Sequence, residues 1–244
     1  MATVRVGVLG AGGRMGSETC RAVDADPDLE LVARVGRGDP LETLVSARAE
    51  VAVEFTTPES VKENVRFCLS HGIHCVVGAT GLSDADLEDV GSWTGPANAL
   101  VAPNFALGAV LMMSFAAAAA KHFDTAEIVE RHHERKLDAP SGTALRTARL
   151  MSEAREGRAW SPARGDETVS GSRGGDAGGV RIHSLRLPGS VAHQEVVLGA
   201  AGETLTIRHD SIDRTSFMPG VVLACKRVGR LDGLVVGLEN VLDL

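Results

Sequence analysis

The stretch Val4-Arg5-Val6-Gly7-Val8-Leu9-Gly10-Ala11-Gly12-Gly13-Arg14-Met15-Gly16 decides the fold. Its first six residues form an almost continuous apolar run, which is typical of a strand buried on both faces. Glycines follow at GxxGxxG spacing, with one more between them, and a helical pattern begins there. Such a turn can present free backbone N–H groups and the positive end of a helix to a dinucleotide pyrophosphate. A glycine-rich turn without a ligand is the alternative. The residues predicted to bind the dinucleotide are Gly10, Gly12, Gly13, Arg14, Met15 and Gly16.

The first hundred residues alternate between short β-branched runs and longer helical patterns. The predicted strands are Val4–Leu9, Leu29–Val35, Val51–Phe55, His74–Gly78 and Ala99–Ala102. The predicted helices between them are Gly16–Ala25, Ser60–His71 and Ser83–Val90. A βαβ succession requires parallel strands with right-handed crossovers. We therefore predict an α/β fold with a Rossmann-type doubly wound parallel sheet.

The pattern changes after Asn104, where strand patterns outnumber helical ones. The predicted helices are Gly108–His122 and Ser141–Glu156, and the predicted strands are Glu127–Arg131, Arg181–Leu187, His193–Gly199 and Thr204–His209. Such a run predicts a second α+β domain with an open mixed sheet. We expect a dinucleotide-binding domain at 1–105, completed by 217–244, which is helical and then extended. We expect a substrate-binding and oligomerisation domain at 106–216, with a mobile Gly/Arg-rich loop at 157–179.

Charge and composition exclude several classes of partner and location. The net charge of −7 leaves no broad basic surface for nucleic acid. No window approaches the roughly 18 apolar residues of a membrane span, and the first residues lead directly into a strand rather than a signal peptide. The cysteines lack CxxC spacing, so we interpret them as reduced core thiols of a cytoplasmic protein. They are Cys20, Cys68, Cys75 and Cys225.

The end of the second predicted strand bears on the choice of cofactor. An NAD-preferring site places an acid there to bind the ribose 2′-OH, whereas this chain has Val35-Gly36-Arg37-Gly38. The guanidinium of Arg37, assisted by Arg14, would favour a 2′-phosphate. We therefore predict that NADPH is used at least as well as NADH. The alternative is that Arg37 is a solvated turn residue.

The segment Glu130–Ala144, ERHHERKLDAPSGTA, contains the richest chemistry. Its Ser-Gly-Thr helix start can bind an anion through hydroxyls and unpaired N–H groups, and Lys136 adds a point charge. His132 and His133 can each donate a proton near neutral pH. Adjacent residues on a strand point to opposite faces, so we predict no metal at this pair.

This segment resembles the signature E-x-H-H-x-x-K-x-D-x-P-S-G-T-A of the dihydrodipicolinate reductase family. The resemblance extends over the whole chain and is greatest to actinobacterial-type members. Further matches are GAGGRMG at the first turn, Phe55-Thr56, Gly78-Ala79-Thr80-Gly81, Ala102-Pro103-Asn104-Phe105, Val191–Gly199 and Glu203–Phe217.

The resemblance implies NAD(P)H-dependent reduction of 4-hydroxy-tetrahydrodipicolinate, a dicarboxylate of the diaminopimelate route to lysine, by a homotetramer. It implies that His132 is the general acid and that Lys136 binds the substrate and stabilises charge. It implies substrate contacts at His133, Lys136, Ser141, Gly142 and Thr143. It implies cofactor contacts at Phe55, Thr56, Gly78, Thr80, Ala102, Asn104 and Phe105. The chain departs from the family pattern where Gly36 replaces an acid, which leaves the choice between NADPH and NADH open.

Two other functions compete with this one. A different two-domain dehydrogenase, acting on an amino or keto acid, would use the same scaffold. A nucleotide-sensing module without catalysis would bind the cofactor without turnover, and it leaves His132, Lys136 and Ser141–Thr143 unexplained.

Overall fold

The computed structural model describes residues 3–161 and 166–242, and the chain divides into two compact units. The first unit comprises Met1–Leu107 and Arg214–Leu244, and the second unit comprises Gly108–Asp213.

Eleven strands and seven α-helices lie within the described residues. The strands are β1 (Val4–Leu9), β2 (Leu29–Val35), β3 (Val51–Glu54), β4 (His74–Val77), β5 (Ala99–Val101), β6 (Thr125–His132), β7 (Gly175–Ala177), β8 (Val180–Arg186), β9 (Ala192–Ala200), β10 (Glu203–Ser211) and β11 (Leu234–Val236). The helices are α1 (Arg14–Ala25), α2 (Glu42–Ser46), α3 (Val61–Ser70), α4 (Asp84–Trp93), α5 (Leu107–Ala120), α6 (Gly142–Ala154) and α7 (Met218–Arg227).

The first unit is built on a six-stranded sheet in the order β11-β5-β4-β3-β1-β2, with every neighbouring pair parallel. All four residues of β3 are buried, as expected for a strand covered on both faces. β11, from the C-terminal segment, pairs with β5 at the edge. The prediction of a Rossmann-type parallel sheet is confirmed.

All four cysteines are free and buried, as expected for core thiols. Cys68 and Cys75 lie in the core between α3 and the sheet, and Cys20 lies on the buried face of α1. They pack as small apolar side chains.

The second unit contains a five-stranded mixed sheet in the order β10-β9-β6-β8-β7. β6 runs parallel to β8, and the other pairs are antiparallel. Ala126, Ile128 and Glu130 of β6 are buried on one face, while the alternate residues are exposed or partly so. The predicted open mixed sheet is confirmed.

Two short elements were not predicted. Strand β7 lies within the stretch expected to be a loop at 157–179, and α2 follows β2. Gly175-Asp176-Ala177 has no strand propensity of its own, and its pairing with β8 makes it a strand. Residues 162–165 of the expected loop lie outside the described residues. Within the described ranges, no helix is long and apolar enough to cross a membrane.

Gly220, in the first turn of α7, lies against the backbone of Phe105. A Cβ there would stand 2.0 Å from the Phe105 carbonyl oxygen. We expect Gly220→Ala to destabilise the fold by about 1–3 kcal/mol, because backbone atoms cannot move aside as a flexible side chain can. Urea denaturation measures this change in the free energy of unfolding.

Gly91→Ala is the matched control, because it also adds a methyl group to a helical glycine. Its Cβ would meet nothing nearer than Leu234 Cδ2 at 3.8 Å. We expect no loss, and a gain of up to about 1 kcal/mol from helix propensity. Equal destabilisation by both substitutions would contradict the proposed role of the close approach at Phe105.

Candidate functional site

A cleft of about 940 Å³ lies where β1, β2 and β3 end. The three strands are parallel, so their carboxyl ends meet at one edge of the sheet. Ligands of open α/β sheets bind at this edge. The predicted cofactor residues that line the cleft are Gly10, Gly12, Gly13, Arg37, Phe55 and Thr56.

The glycines of the first turn serve different purposes. Gly10 has φ 77°, and a Cβ there would stand 2.5 Å from the carbonyl oxygen of Phe55. A Cβ at Gly16 would stand 2.1 Å from the carbonyl oxygen of Gly10. Both are therefore required by the close approach of backbone segments. A Cβ at Gly12 would meet nothing within 4 Å, so this glycine leaves room on the side of the cleft.

The start of α1 fits a phosphate group. Gly13 precedes the helix, and no side chain caps the N–H groups of the first turn. These N–H groups have no intrahelical partner, so an anion would satisfy them.

The turn after β2 contains an acid that the sequence analysis missed. Val35–Gly38, on which the prediction was based, contains no acid, but the next residue, Asp39, also lines the cleft. Its Oδ2 accepts a hydrogen bond of 2.8 Å from the Gly36 N–H, because the turn folds back on itself. Arg37 is exposed between them.

Glu54, the last residue of β3, is a second acid that the sequence analysis missed. It is 1% exposed, and its carboxylate accepts hydrogen bonds from the side chain and N–H of Thr56 and from Asn64 Nδ2 at 3.0 Å. Burial raises the pKa of this carboxyl, and the hydrogen bonds from Thr56 and Asn64 only partly offset it. The sequence feature that could have indicated Glu54 as a candidate site residue is its charge within the otherwise apolar run VAVEF.

Phe55 connects the cleft to two further predicted cofactor residues. A Cβ at Gly78 would stand 2.1 Å from the Phe55 ring, and the rings of Phe55 and Phe105 pack edge to face at 6.0 Å. The Asn104 side chain accepts a hydrogen bond from the Ala106 N–H at 2.9 Å. The predicted residues that do not line the cleft are Arg14, Met15, Gly16, Gly78, Thr80, Ala102, Asn104 and Phe105.

In the second unit, His132 and the start of α6 both contact Glu130, which is fully buried on β6. His132 is the last residue of this strand, and its Nδ1 lies 2.6 Å from Glu130 Oε2. Arg186 lies beside His132 in the β6–β8 register, and its two terminal nitrogens contact the two oxygens of Glu130 at 2.9 and 2.8 Å. Neither Glu130 nor Arg186 was among the predicted site residues.

The predicted anion site lies at the start of α6. Ser141 precedes the helix, its hydroxyl oxygen accepts a hydrogen bond from the Ala144 N–H at 3.2 Å, and its own N–H donates to Glu130 Oε1 at 3.1 Å. Gly142 is exposed and Thr143 is partly buried. The Ser141 hydroxyl still has its proton to donate, and the first-turn N–H groups face outward from the helix end.

The other two predicted substrate ligands differ in their partners. Lys136 Nζ lies 2.8 Å from both carboxylate oxygens of Asp138, and this ion pair lowers the pKa of the Asp138 carboxyl. His133 Nδ1 is buried, and no described residue forms a hydrogen bond with it. No cluster of three His, Cys, Asp or Glu side chains suited to a metal occurs in the part of the chain that the structure describes.

Comparison with known families accounts for both units. The family model described as "Dihydrodipicolinate reductase, N-terminus" matches residues 4–105, and the one described as "Dihydrodipicolinate reductase, C-terminus" matches residues 108–242. The chain belongs to the dihydrodipicolinate reductase family. The predicted family and its activity class, an NAD(P)H-dependent oxidoreductase, are thereby confirmed.

Individual members of this family match the chain along nearly their full length. The chain is 54% identical over 249 residues to the 4-hydroxy-tetrahydrodipicolinate reductase of Streptomyces griseus, with 100% of each chain covered. It is 53% identical to that of Corynebacterium diphtheriae, with 99% of each covered. These relatives agree with the predicted actinobacterial type.

A solved structure shares the architecture of the whole chain. It is the dipicolinate-bound dihydrodipicolinate reductase from Paenisporosarcina sp. TG-14, with a TM-score of 0.89 and 38% identity over 98% of this chain and 100% of that one. A probable dehydrogenase from Thermotoga maritima, 12% identical with a TM-score of 0.66 over 98% of this chain and 92% of that one, shares the fold alone.

Burial of Glu54 gives a pH dependence of stability. Because its folded-state pKa is raised, its contribution to stability is present below the unfolded pKa and is lost as the pH rises through the folded pKa. Glu54→Gln cannot ionise. We therefore expect the stability of this variant, relative to the wild type, to improve between about pH 4 and pH 7. Urea denaturation across this range measures the difference.

Glu63→Gln, an exposed substitution on the neighbouring helix α3, is the control and should leave the pH profile of stability unchanged. If Glu54→Gln parallels the wild type at every pH, burial does not raise the pKa of the Glu54 carboxyl.

Proposed function

We propose that this chain reduces 4-hydroxy-tetrahydrodipicolinate to tetrahydrodipicolinate with NAD(P)H, in the biosynthesis of diaminopimelate and lysine. Membership of the family over both units supports the reaction. The Paenisporosarcina relative was solved with dipicolinate, a ring dicarboxylate, which supports a dicarboxylate substrate for this chain. The observation that carries the proposal is the grouping of a carboxylate-paired histidine, a lysine and a helix N-terminus between residues 130 and 144.

The first unit is the proposed nucleotide-binding unit. The glycine turn and the uncapped start of α1 hold the pyrophosphate, and Arg37 at the rim of the cleft binds near the ribose. The reduced nicotinamide, when bound, supplies the hydride. The ring of Phe55, which packs on the buried Phe105 and lies close to Gly78, offers an apolar surface suited to a flat ring.

His132 is the proposed general acid. Addition of a hydride to a conjugated C=C–C=N system leaves an electron-rich enamine-type carbon, which must receive a proton. The Nδ1 of His132 is engaged by Glu130, so Nε2 is the nitrogen that can deliver this proton.

The start of α6 and the residues before it form the proposed substrate-binding site. Ser141, Gly142 and Thr143 bind one carboxylate through N–H and hydroxyl groups, and His133 orients the other side. Lys136 contacts the substrate and stabilises the negative charge that develops. Because Asp138 holds the Lys136 ammonium, the substrate has to compete with this carboxylate or share the ammonium with it.

The second unit is also the proposed oligomerisation unit, in a cytoplasmic homotetramer. The face of the mixed sheet opposite its buried side is only partly covered, since Val129 of β6 and Val197 of β9 on that face are only half-buried. Packing of this face against a second copy would cover it. Light scattering in solution gives the mass that tests the assembly. The buried reduced thiols agree with a cytoplasmic location.

The cofactor assignment predicts the nucleotide preference. In a coupled assay that generates the substrate enzymatically, we expect turnover with NADPH at least as fast as with NADH. Arg37→Ala should raise KM for NADPH more than for NADH, because only NADPH carries the 2′-phosphate. Arg34→Ala is the control, because it removes an arginine of β2 that pairs with Asp24 of α1. It should change neither the KM for NADPH nor the KM for NADH. A strong preference of the wild type for NADH would overturn the role given to Arg37.

The acid assignment predicts a selective loss of turnover. We expect His132→Gln to lower kcat by about 10²–10⁴-fold while KM changes little, because the side chain acts mainly in the transition state. Lys136→Ala should lower kcat and raise KM together, since the ammonium contacts both ground and transition states.

The matched control is His193→Gln, which removes another histidine of the same sheet whose Nδ1 lies 2.6 Å from a carboxylate, that of Asp210. Its kcat should stay near that of the wild type. Near-normal turnover of His132→Gln would remove the acid assignment.

Turnover of amino or keto acids, without turnover of 4-hydroxy-tetrahydrodipicolinate, would favour a different two-domain dehydrogenase.

A further inference from the structure

Each oxygen of the Glu130 carboxylate contacts Arg186 and one part of the candidate site. Oε2 contacts His132 Nδ1 at 2.6 Å and Arg186 Nη1 at 2.9 Å. Oε1 accepts the Ser141 N–H at 3.1 Å and contacts Arg186 Nη2 at 2.8 Å. Each oxygen therefore holds one part of the candidate site and one nitrogen of the same guanidinium.

The ion pair is deeply placed. Glu130 is fully buried and the Arg186 side chain is 18% exposed. Burial by itself would raise the pKa of the Glu130 carboxyl, but hydrogen bonds from His132, Arg186 and Ser184 outweigh it and lower the pKa to about 2. The group is thus a charged carboxylate throughout the range in which a histidine titrates.

Arg186 extends the arrangement to the loop between the two parts of the site. Its Nη2 also donates to the carbonyl oxygen of Asp138 at 2.6 Å. One bidentate pair therefore joins β6, β8, the loop of 133–140 and the start of α6. A bidentate guanidinium–carboxylate contact restricts orientation as well as distance.

Two other histidines of the same unit also pair with carboxylates, and comparison with them shows how Glu130 differs from an ordinary histidine partner. Glu127 contacts His183 and Arg173, and Asp210 contacts His193 and Arg208. Those carboxylates are 39% and 35% exposed, and their hydrogen bonds in the structure are with side chains. Glu130 differs because it is fully buried and also accepts the N–H of a helix cap.

We propose that Glu130 and Arg186 are a positioning pair that holds the proton-donating imidazole of His132 and the carboxylate-binding start of α6 in one fixed arrangement. The inference rests on the proposed function, since it concerns the same reaction. Glu130 sets the rotation of the His132 ring and directs Nε2 away from itself. Arg186 neutralises the buried charge and locks the carboxylate plane.

The test is Glu130→Gln, which keeps the shape of the side chain and removes its charge. We expect kcat near neutral pH to fall about tenfold or more, with little change in the dissociation constant of NADPH. The limb of the kcat–pH profile that reports the acid should move to lower pH by about one unit or more, because the protonated imidazole loses an adjacent opposite charge. A role in folding alone would lower the amount of active protein without moving this limb.

Glu130→Gln leaves Arg186 buried without its partner and can therefore reduce stability. The double variant Glu130→Gln with Arg186→Met removes both charges and avoids this penalty. It should fold and keep the displaced pH limb. Arg186→Lys, which retains the charge but loses the bidentate geometry, should lower kcat with a smaller displacement. A folded double variant with the wild-type pH profile and kcat would overturn the proposal.

Glu127→Gln is the matched control. It is the same substitution three residues earlier on β6, and it removes a carboxylate from another histidine and arginine. It should retain the wild-type kcat and pH profile. Equal displacement by Glu127→Gln would also count against a specific role of Glu130.

A second measurement separates this inference from the proposed function. Nitrogen-15 NMR of the imidazole of His132 in the free enzyme reports whether Nδ1 carries a hydrogen-bonded proton, without any turnover. Loss of this signature in Glu130→Gln supports the positioning pair even if the wild type fails to reduce the proposed substrate. An unchanged signature overturns the pair even if the reduction is observed.

Discussion

A carboxylate removed from water must find hydrogen bonds for both of its oxygens, and the second unit depends on this constraint at Glu130. Its partners come from β6, from β8 and from the start of α6. An unpaired charge in this position would cost several kcal/mol, so these contacts stabilise one another. The position of His132 relative to the helix start is therefore set by charge compensation rather than by the loop between them.

The first unit is organised by a different constraint, the close approach of backbone segments. Gly10 and Gly16 bring the first turn against β3 and against α1, and Gly220 brings α7 against Phe105. A Cβ at any of these positions would stand within 2.5 Å of a backbone carbonyl oxygen, so the segments would have to move apart. In the proposed function, the first unit supplies N–H groups and room for a dinucleotide, and the second unit supplies compensated charges for a dicarboxylate.

Local patterns predicted most of the elements, because each depends on residues close in the chain. The apolar runs of β1 and β3, the glycine turn and the Ser-Gly-Thr helix start all occur where they were expected. The short strand β7 was missed because its sequence has no strand propensity and only pairing with β8 orders it. Asp39 was missed because it lies beyond the end of β2 and only a turn brings its carboxylate back to the Gly36 N–H. The distance in sequence from the glycine turn does not reveal such a turn.

The sequence by itself determined the strand–turn–helix order, the two kinds of sheet and the family, since periodicity and a contiguous signature are properties of neighbouring residues. Only the tertiary structure decided which groups accompany His132. Arg186 lies 56 residues beyond Glu130, and the parallel register of β6 and β8 places it beside the histidine. Register and burial arise from contacts between distant segments, so no local pattern in the chain could have indicated this partner.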